Sequence, residues 1–165
     1  MQLTGARWGN GKIKFSKVEM LNSRGEQAWV FGAGEEVTVR LRVESDEDYP
    51  GPIFAADIYR YDGVFIGSVN NHDTNPTRLP IRRGENLIEL RISKLDLSHN
   101  VYFLSVKAYT ENGEPDWSDP ADIHYQMYQF NVLTEGVMHG LMRFEAEWRG
   151  ATVSADHDQQ YGKRA

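Results

Sequence analysis

Wherever the pattern along this chain is regular, polar and apolar positions alternate with a period of two. The clearest run is EVTVRLRVE, with Val37, Val39, Leu41 and Val43 on one face and Thr38, Arg40 and Arg42 on the other. ENLIELRIS turns Ile88, Leu90 and Ile92 inward, and VYFLSVKAYT does the same with Tyr102, Leu104, Val106 and Ala108. DIHYQMYQFNV aims Phe130 and Val132 at the core, while GLMRFEAEW aligns Met142, Phe144, Ala146 and Trp148 and reads as a closing strand. IFAADIYRY follows a Pro50-Gly51-Pro52 break, and Asp62-Gly63 then turns it into VFIGSVNN, a hairpin signal. The first strand changes phase, from Ile13 and Phe15 to Val18 and Met20; a bulge near Ser16-Lys17 accounts for the change. No long amphipathic helix is evident, and SKLDLSHN has room for one short turn. Seven or eight short strands between turn signals predict an all-β fold, an immunoglobulin-like antiparallel β-sandwich. Strands near 12–20, 36–44 and 86–92 fall in one sheet, and those near 53–61, 101–109 and 123–132 in the other. Residues 1–11 read as a linker, 12–149 as the sandwich, and 150–165 as a polar, mobile tail.

Length and composition remove several function classes. A chain of 165 residues buries ~70% of its unfolded surface, so its core needs neither metal nor disulfide. The absence of cysteine excludes disulfides, thiol nucleophiles and thiolate metal sites. A net charge of −6 with no evident basic face argues against nucleic acid as a partner. No apolar run approaches the ~20 residues of a membrane span, which argues against direct insertion. RWGNGKIKF looks at first like a phosphate loop. Ala6 stands where the loop needs its first glycine, Ile13 where it needs a hydroxyl, and a strand follows where it needs a helix. His72, His99, His124, His139 and His157 show neither H-x-x-x-H nor H-x-H spacing, so no metal is expected. NNHDTN and ESDEDY read as solvated loops. There is no G-x-S-x-G elbow, and no carboxylate pair is marked out by its setting, so the chain reads as non-enzymatic.

The two outer faces of the expected sandwich differ. The first sheet shows Thr38, Arg40, Arg42, Glu89 and Arg91, an ordinary solvated surface. The second shows Asp57, Tyr59 and Tyr61, then Phe103, Lys107 and Tyr109, then Tyr125, Met127 and Gln129. Flat rings among a few hydrogen-bonding groups suit sugars, which have a C–H-rich face and a rim of hydroxyls. The candidate carbohydrate site is therefore Asp57, Tyr59, Tyr61, Lys107, Tyr109, Tyr125 and Gln129, with Trp117 of GEPDWSDP as a rim aromatic. The tyrosines are expected to stack, Asp57 and Gln129 to read hydroxyls, and Lys107 to meet a negatively charged cap. The same surface is open to a second reading, a structural or protein-docking sandwich without glycan binding.

Taken in order, these segments resemble a known family. RWGNGKIKFSKVEML is similar to an R-x-G-x-G-like entry into an I-x-x-V-x-L-like strand, and FGAGEEVTVRLRVES to a G-E-x-V-x-V-x-V strand. PIFAADIYRYDGVFIGSVNN resembles an F-x-x-x-I-x-x-x-D-G hairpin that usually ends in an N-T pair, here Asn71-His72. LDLSHNVYFLSV resembles L-x-L-x-x-G-x-Y-x-L-x-V with Asn100 in place of glycine, a turn that asparagine tolerates at positive φ. YQFNV and GLMRFEAEW match an F-x-V strand and a closing G…W strand. The family is the C-terminal carbohydrate-binding domain of Wzt-type ATPase subunits of O-antigen ABC exporters. The resemblance spans roughly residues 5–149 and implies a set of expectations. The domain would bind the modified non-reducing end of a finished O-polysaccharide in the cytoplasm, at the inner face of the bacterial inner membrane. It would thereby select that chain for export through a membrane-spanning permease. ATP and Mg would belong to an N-terminal nucleotide-binding domain outside this sequence, leaving this part without cofactor. The domains would pair as homodimers, exchanging the strand from Gly136 to Trp148.

Overall fold

The described residues form nine strands, the long ones along the alternating segments. The structure is a computed structural model, and it describes residues 5–73, 76–110 and 116–153. The strands are β1 (Ala6–Trp8), β2 (Ile13–Leu21), β3 (Val30–Gly32), β4 (Val37–Ser45), β5 (Ile53–Arg60), β6 (Phe65–Asn70), β7 (Gly84–Ile92), β8 (Asn100–Tyr109) and β9 (Asp122–Leu133). One sheet has the order β2-β4-β7; the other runs β1-β9-β8-β5-β6, with β3 also on β9. All pairings are antiparallel except β3 with β9. The division of β2, β4 and β7 from β5, β8 and β9 is the one that immunoglobulin-like order predicts.

The two sheets bury one side each. Val37, Val39, Leu41 and Val43 of β4 face Tyr102, Leu104, Val106 and Ala108 of β8 across a core that Phe31, Phe54, Phe130 and Val132 complete. The predicted bulge in β2 is present: the register against β4 shifts between Phe15 and Lys17, so that Val18 and Met20 regain the core. Tyr102 stacks on Phe130 at 5.6 Å and donates its hydroxyl to the Ser98 carbonyl, which makes a wholly buried phenol affordable.

Several expectations change. Residues 6–8, within the stretch read as a linker, are a sheet strand paired with β9. The short β3 escapes periodicity because three residues define no period. Asn100 needs no positive φ, since it opens β8 as an ordinary strand residue. Among the described residues the GLMRFEAEW segment forms no closing strand: a bridge between Leu97 and Met142 and the ion pairs of Arg143 with Asp96 and Glu145 with Lys94 hold its first part, and Phe144 and Trp148 are 81% and 98% exposed. A strand needs a partner ladder as well as alternation, and here none lies alongside. Most of the tail read as mobile, from residue 154 onward, lies outside the described residues.

Candidate functional site

Residues directly opposed in an antiparallel ladder share a face, so the register fixes what surrounds what. Asp57 lies opposite Ser105, Tyr59 opposite Phe103, Ala55 opposite Lys107 and Ile53 opposite Tyr109. On the next strand Gln129 opposes Phe103 and Ile123 opposes Lys107. The outer face thus runs from Tyr61 and Gln129 at one end, through Asp57, Ser105 and Lys107, to Tyr109 and Trp117 at the other. All eight residues singled out from the sequence lie on this side or at its rim.

An ion pair occupies the middle. Lys107 Nζ lies 2.6 Å from Asp57 Oδ2. Asp57 is only 2% exposed, and its Oδ1 is buried with no hydrogen-bond partner among the described residues. Burial would lower the Lys107 ammonium, but the Asp57 carboxylate outweighs it and holds the pKa above the usual lysine value. The group is charged at neutral pH, and its charge is matched.

Rings surround the pair. Tyr59 meets Phe65 at 5.3 Å and Tyr125 edge-on at 5.4 Å, and Tyr125 in turn meets Trp8 at 6.1 Å. Tyr59 and Tyr125 stand on strands two places apart, with β8 between them. The small Ser105 lets their rings close over it. At the other end Trp117 stands edge-on to Tyr109 at 5.0 Å and to His72 at 6.4 Å. Burial raises the phenols of Tyr59 and Tyr109, and so both keep their protons at neutral pH. Tyr109 is only 4% exposed, too covered for the stacking expected of it, and Trp117 presents the accessible ring at that end. Tyr61 is open to solvent on the turn after β5, and Gln129 is exposed.

Trp8, Phe65 and Ser105 complete the surface and escaped sequence reasoning. Trp8 sits on a three-residue strand with no period to read. Phe65 comes outward only because the β5–β6 register shifts beside Tyr59. Ser105 signals itself only by being small between large residues.

Tyr125 owes its position to an irregularity. Between the pairs Val106–His124 and Leu104–Tyr128, β9 carries two residues more than β8. Gln126, at φ 47°, is the one non-glycine residue with positive φ among those described, and its N–H donates to Ser105 Oγ at 2.6 Å. Beneath, His124 Nδ1 and Tyr128 Oη lie 2.6 Å apart, bracketing the bulge from the core side. Asp122 accepts from Arg7 Nε at 3.0 Å and Nη2 at 2.8 Å, and from the Phe15 N–H at 2.8 Å. His124 Nε2 lies 3.3 Å from the same carboxylate, too poorly aligned for a hydrogen bond. Burial would raise the Asp122 carboxyl, but His124, Arg7 and the Phe15 N–H together hold it below the usual range. This network fastens β1, and with it Trp8, to β9. The glycines of RWGNG serve the same join: a Cβ on Gly9 would stand 2.2 Å from the Ala121 carbonyl oxygen.

The sequence profile described as the Wzt C-terminal domain matches residues 4–144. Among solved structures, the crystal structure of the C-terminal domain of wzt superposes with a TM-score of 0.81 at 18% identity, covering 90% of this chain and 89% of that one. The CARDB domain of the PF1109 protein from Pyrococcus furiosus, in complex with di-metal ions, has a TM-score of 0.35 at 11% identity. It covers 73% of this chain and 96% of that one, too slight a likeness to bear on fold or ligand. No curated protein matches the sequence. A profile match over most of the length, on an all-strand sandwich of the same architecture, places this chain in the Wzt C-terminal domain family.

Proposed function

We propose that this domain binds the modified non-reducing end of an O-antigen polysaccharide in the cytoplasm and selects it for export by an ABC transporter, without chemical change to the glycan. The observation that carries the reading is the outer face of the larger sheet, where Tyr59, Tyr125, Trp8 and Phe65 form a continuous ring wall beside a hydrogen-bonding Asp57–Lys107 pair. Rings offer sugar C–H groups an apolar platform with little side-chain entropy to lose. ATP and Mg belong, on this reading, to a nucleotide-binding domain of the same subunit, which meets the permease at the inner face of the inner membrane.

Pairing of two domains completes the proposal. β6 and β7 are free edges, and two apolar cavities of about 300 and 350 Å³ lie between the sheets beneath them. The segment carrying Val137, Phe144 and Trp148 stands uncovered in the single chain. Exchange of residues 136–148 between protomers would supply that segment with a ladder. It would also place two glycan sites on one polymer, raising apparent affinity through effective concentration. Removal of Gly136 onward is expected to yield monomers in sedimentation, and an intact dimer would refute the exchange. The test of the glycan reading is a titration of purified O-polysaccharide against the Tyr59→Ala, Tyr125→Ala double variant. At least a tenfold loss is expected from two lost stacking contacts, and unchanged affinity discards this face.

A further inference from the structure

We infer that the ring-lined face accepts an uncharged sugar and disfavours an anionic one. The inference rests on the glycan-binding reading and narrows the substrate class of that same face.

Its first ground is a count of charge. By register, the outward residues of the described strands in this sheet include Asp57, Ser105, Tyr59, Tyr109, Tyr125, Gln129 and Trp8, and Lys107 is the one lysine or arginine among them. A sugar carboxylate or phosphate would look to that cation, as the sequence alone leads one to expect. In the structure Lys107 is committed to Asp57 at 2.6 Å.

The second ground is that Asp57 cannot give way. It is only 2% exposed, with Oδ1 already lacking a partner among the described residues. Drawing Lys107 off toward a ligand anion would leave a buried carboxylate uncompensated, which is strongly unfavourable. Leaving Lys107 in place would set two anions on one cation. Either way the face carries a repulsive element against acidic sugars, and such elements commonly supply specificity. The chain's net charge of −6 adds to it at long range.

The third ground is what the pair still offers. An ammonium has three donors, and one is spent on Asp57. The others remain for neutral acceptors, namely sugar hydroxyls or a ring oxygen. The side chain of Lys107 is 26% exposed, open enough to be reached. Tyr59 and Tyr125, flat and in edge contact at 5.4 Å, supply the apolar platform. An uncharged saccharide uses each of these features and meets no penalty.

The test is an array of bacterial polysaccharides and oligosaccharides, one half with uncharged termini and the other ending in uronic acid, ulosonic acid or phosphate. The strongest binders are expected to be uncharged. The best binder's Kd should change less than about twofold between 50 and 500 mM NaCl, because no ligand charge is there to be screened. Preference for an anionic terminus, or a tenfold weakening over that salt range, overturns this inference and leaves the glycan reading standing. Failure to bind any glycan overturns both. Asp57→Asn, which releases the Lys107 charge, should shift preference toward anionic termini by tenfold or more, and no shift in a folded variant counts against the inference. Should that variant fail to fold, the salt titration of the native chain still decides.

Discussion

The two outer faces of this sandwich both carry ion pairs, in opposite settings. On the smaller sheet Arg40 pairs with Glu89 at 2.7 Å, Arg42 with Glu85 at 2.8 Å and Arg91 with Glu36 at 2.6 Å. The first two cross from β4 to β7 and the third joins β7 to the residue just before β4, all at the solvent surface, where such a contact is worth ~0–1 kcal/mol. On the larger sheet one pair of the same chemical kind, Lys107 with Asp57, is walled by rings, its carboxylate almost removed from solvent and its ammonium partly open. A solvated ladder tolerates the loss of any rung. A desolvated pair does not, because removal of one partner strands the other.

Four substitutions or conditions sharpen this contrast. Lys107→Met should have the largest effect, about 3 kcal/mol of stability in urea unfolding, since it leaves the Asp57 carboxylate buried and alone. Adding Asp57→Leu to it should restore much of that loss, and no recovery would mean that packing outweighs charge here. Gly9→Ala should follow at about 2 kcal/mol, from the clash with the Ala121 carbonyl at the β1–β9 join. It should also weaken glycan binding, because Trp8 is displaced with the strand. Acid comes next. Asp122 has a folded-state pKa below its ordinary value, so its contribution is present in full above about pH 4 and is lost as pH falls through the folded value. The melting temperature of the native chain should therefore drop more steeply below pH 4 than that of Asp122→Asn; parallel curves would refute the role. Arg42→Ala should change stability least, by under about 0.5 kcal/mol, and a larger loss would show that the solvated face is more coupled than its exposure implies.

The sandwich was legible where a long period met burial. Val37 to Val43 and Tyr102 to Ala108 announce their inward sides because nine or ten alternating residues leave one phase to choose. The outward sides follow by parity, which is why the alternation alone sets Asp57, Tyr59, Lys107 and Tyr125 on one surface. What parity cannot give is depth. Nothing in the sequence distinguishes exposed Tyr61 from Tyr109, which is closed over by Trp117, or reveals that Lys107 is bound to Asp57 rather than free to meet a ligand. Nor can alternation tell whether a strand has a neighbour. Met142 to Trp148 alternate as well as any segment of the core, yet lie uncovered.

The bulges of β2 and β9 differ by a single residue in length, and that difference bears on how this domain can diversify. The extra residue at Ser16 reverses the phase of its strand, so every position beyond it depends on the bulge being kept. The two extra residues around Gln126 return the strand to its original phase. Phe130 and Val132 point the same way whether those two are present or not. The segment from Tyr125 to Met127 can thus be lengthened or shortened by pairs, changing the groups on the outer face while the interior behind it registers no change.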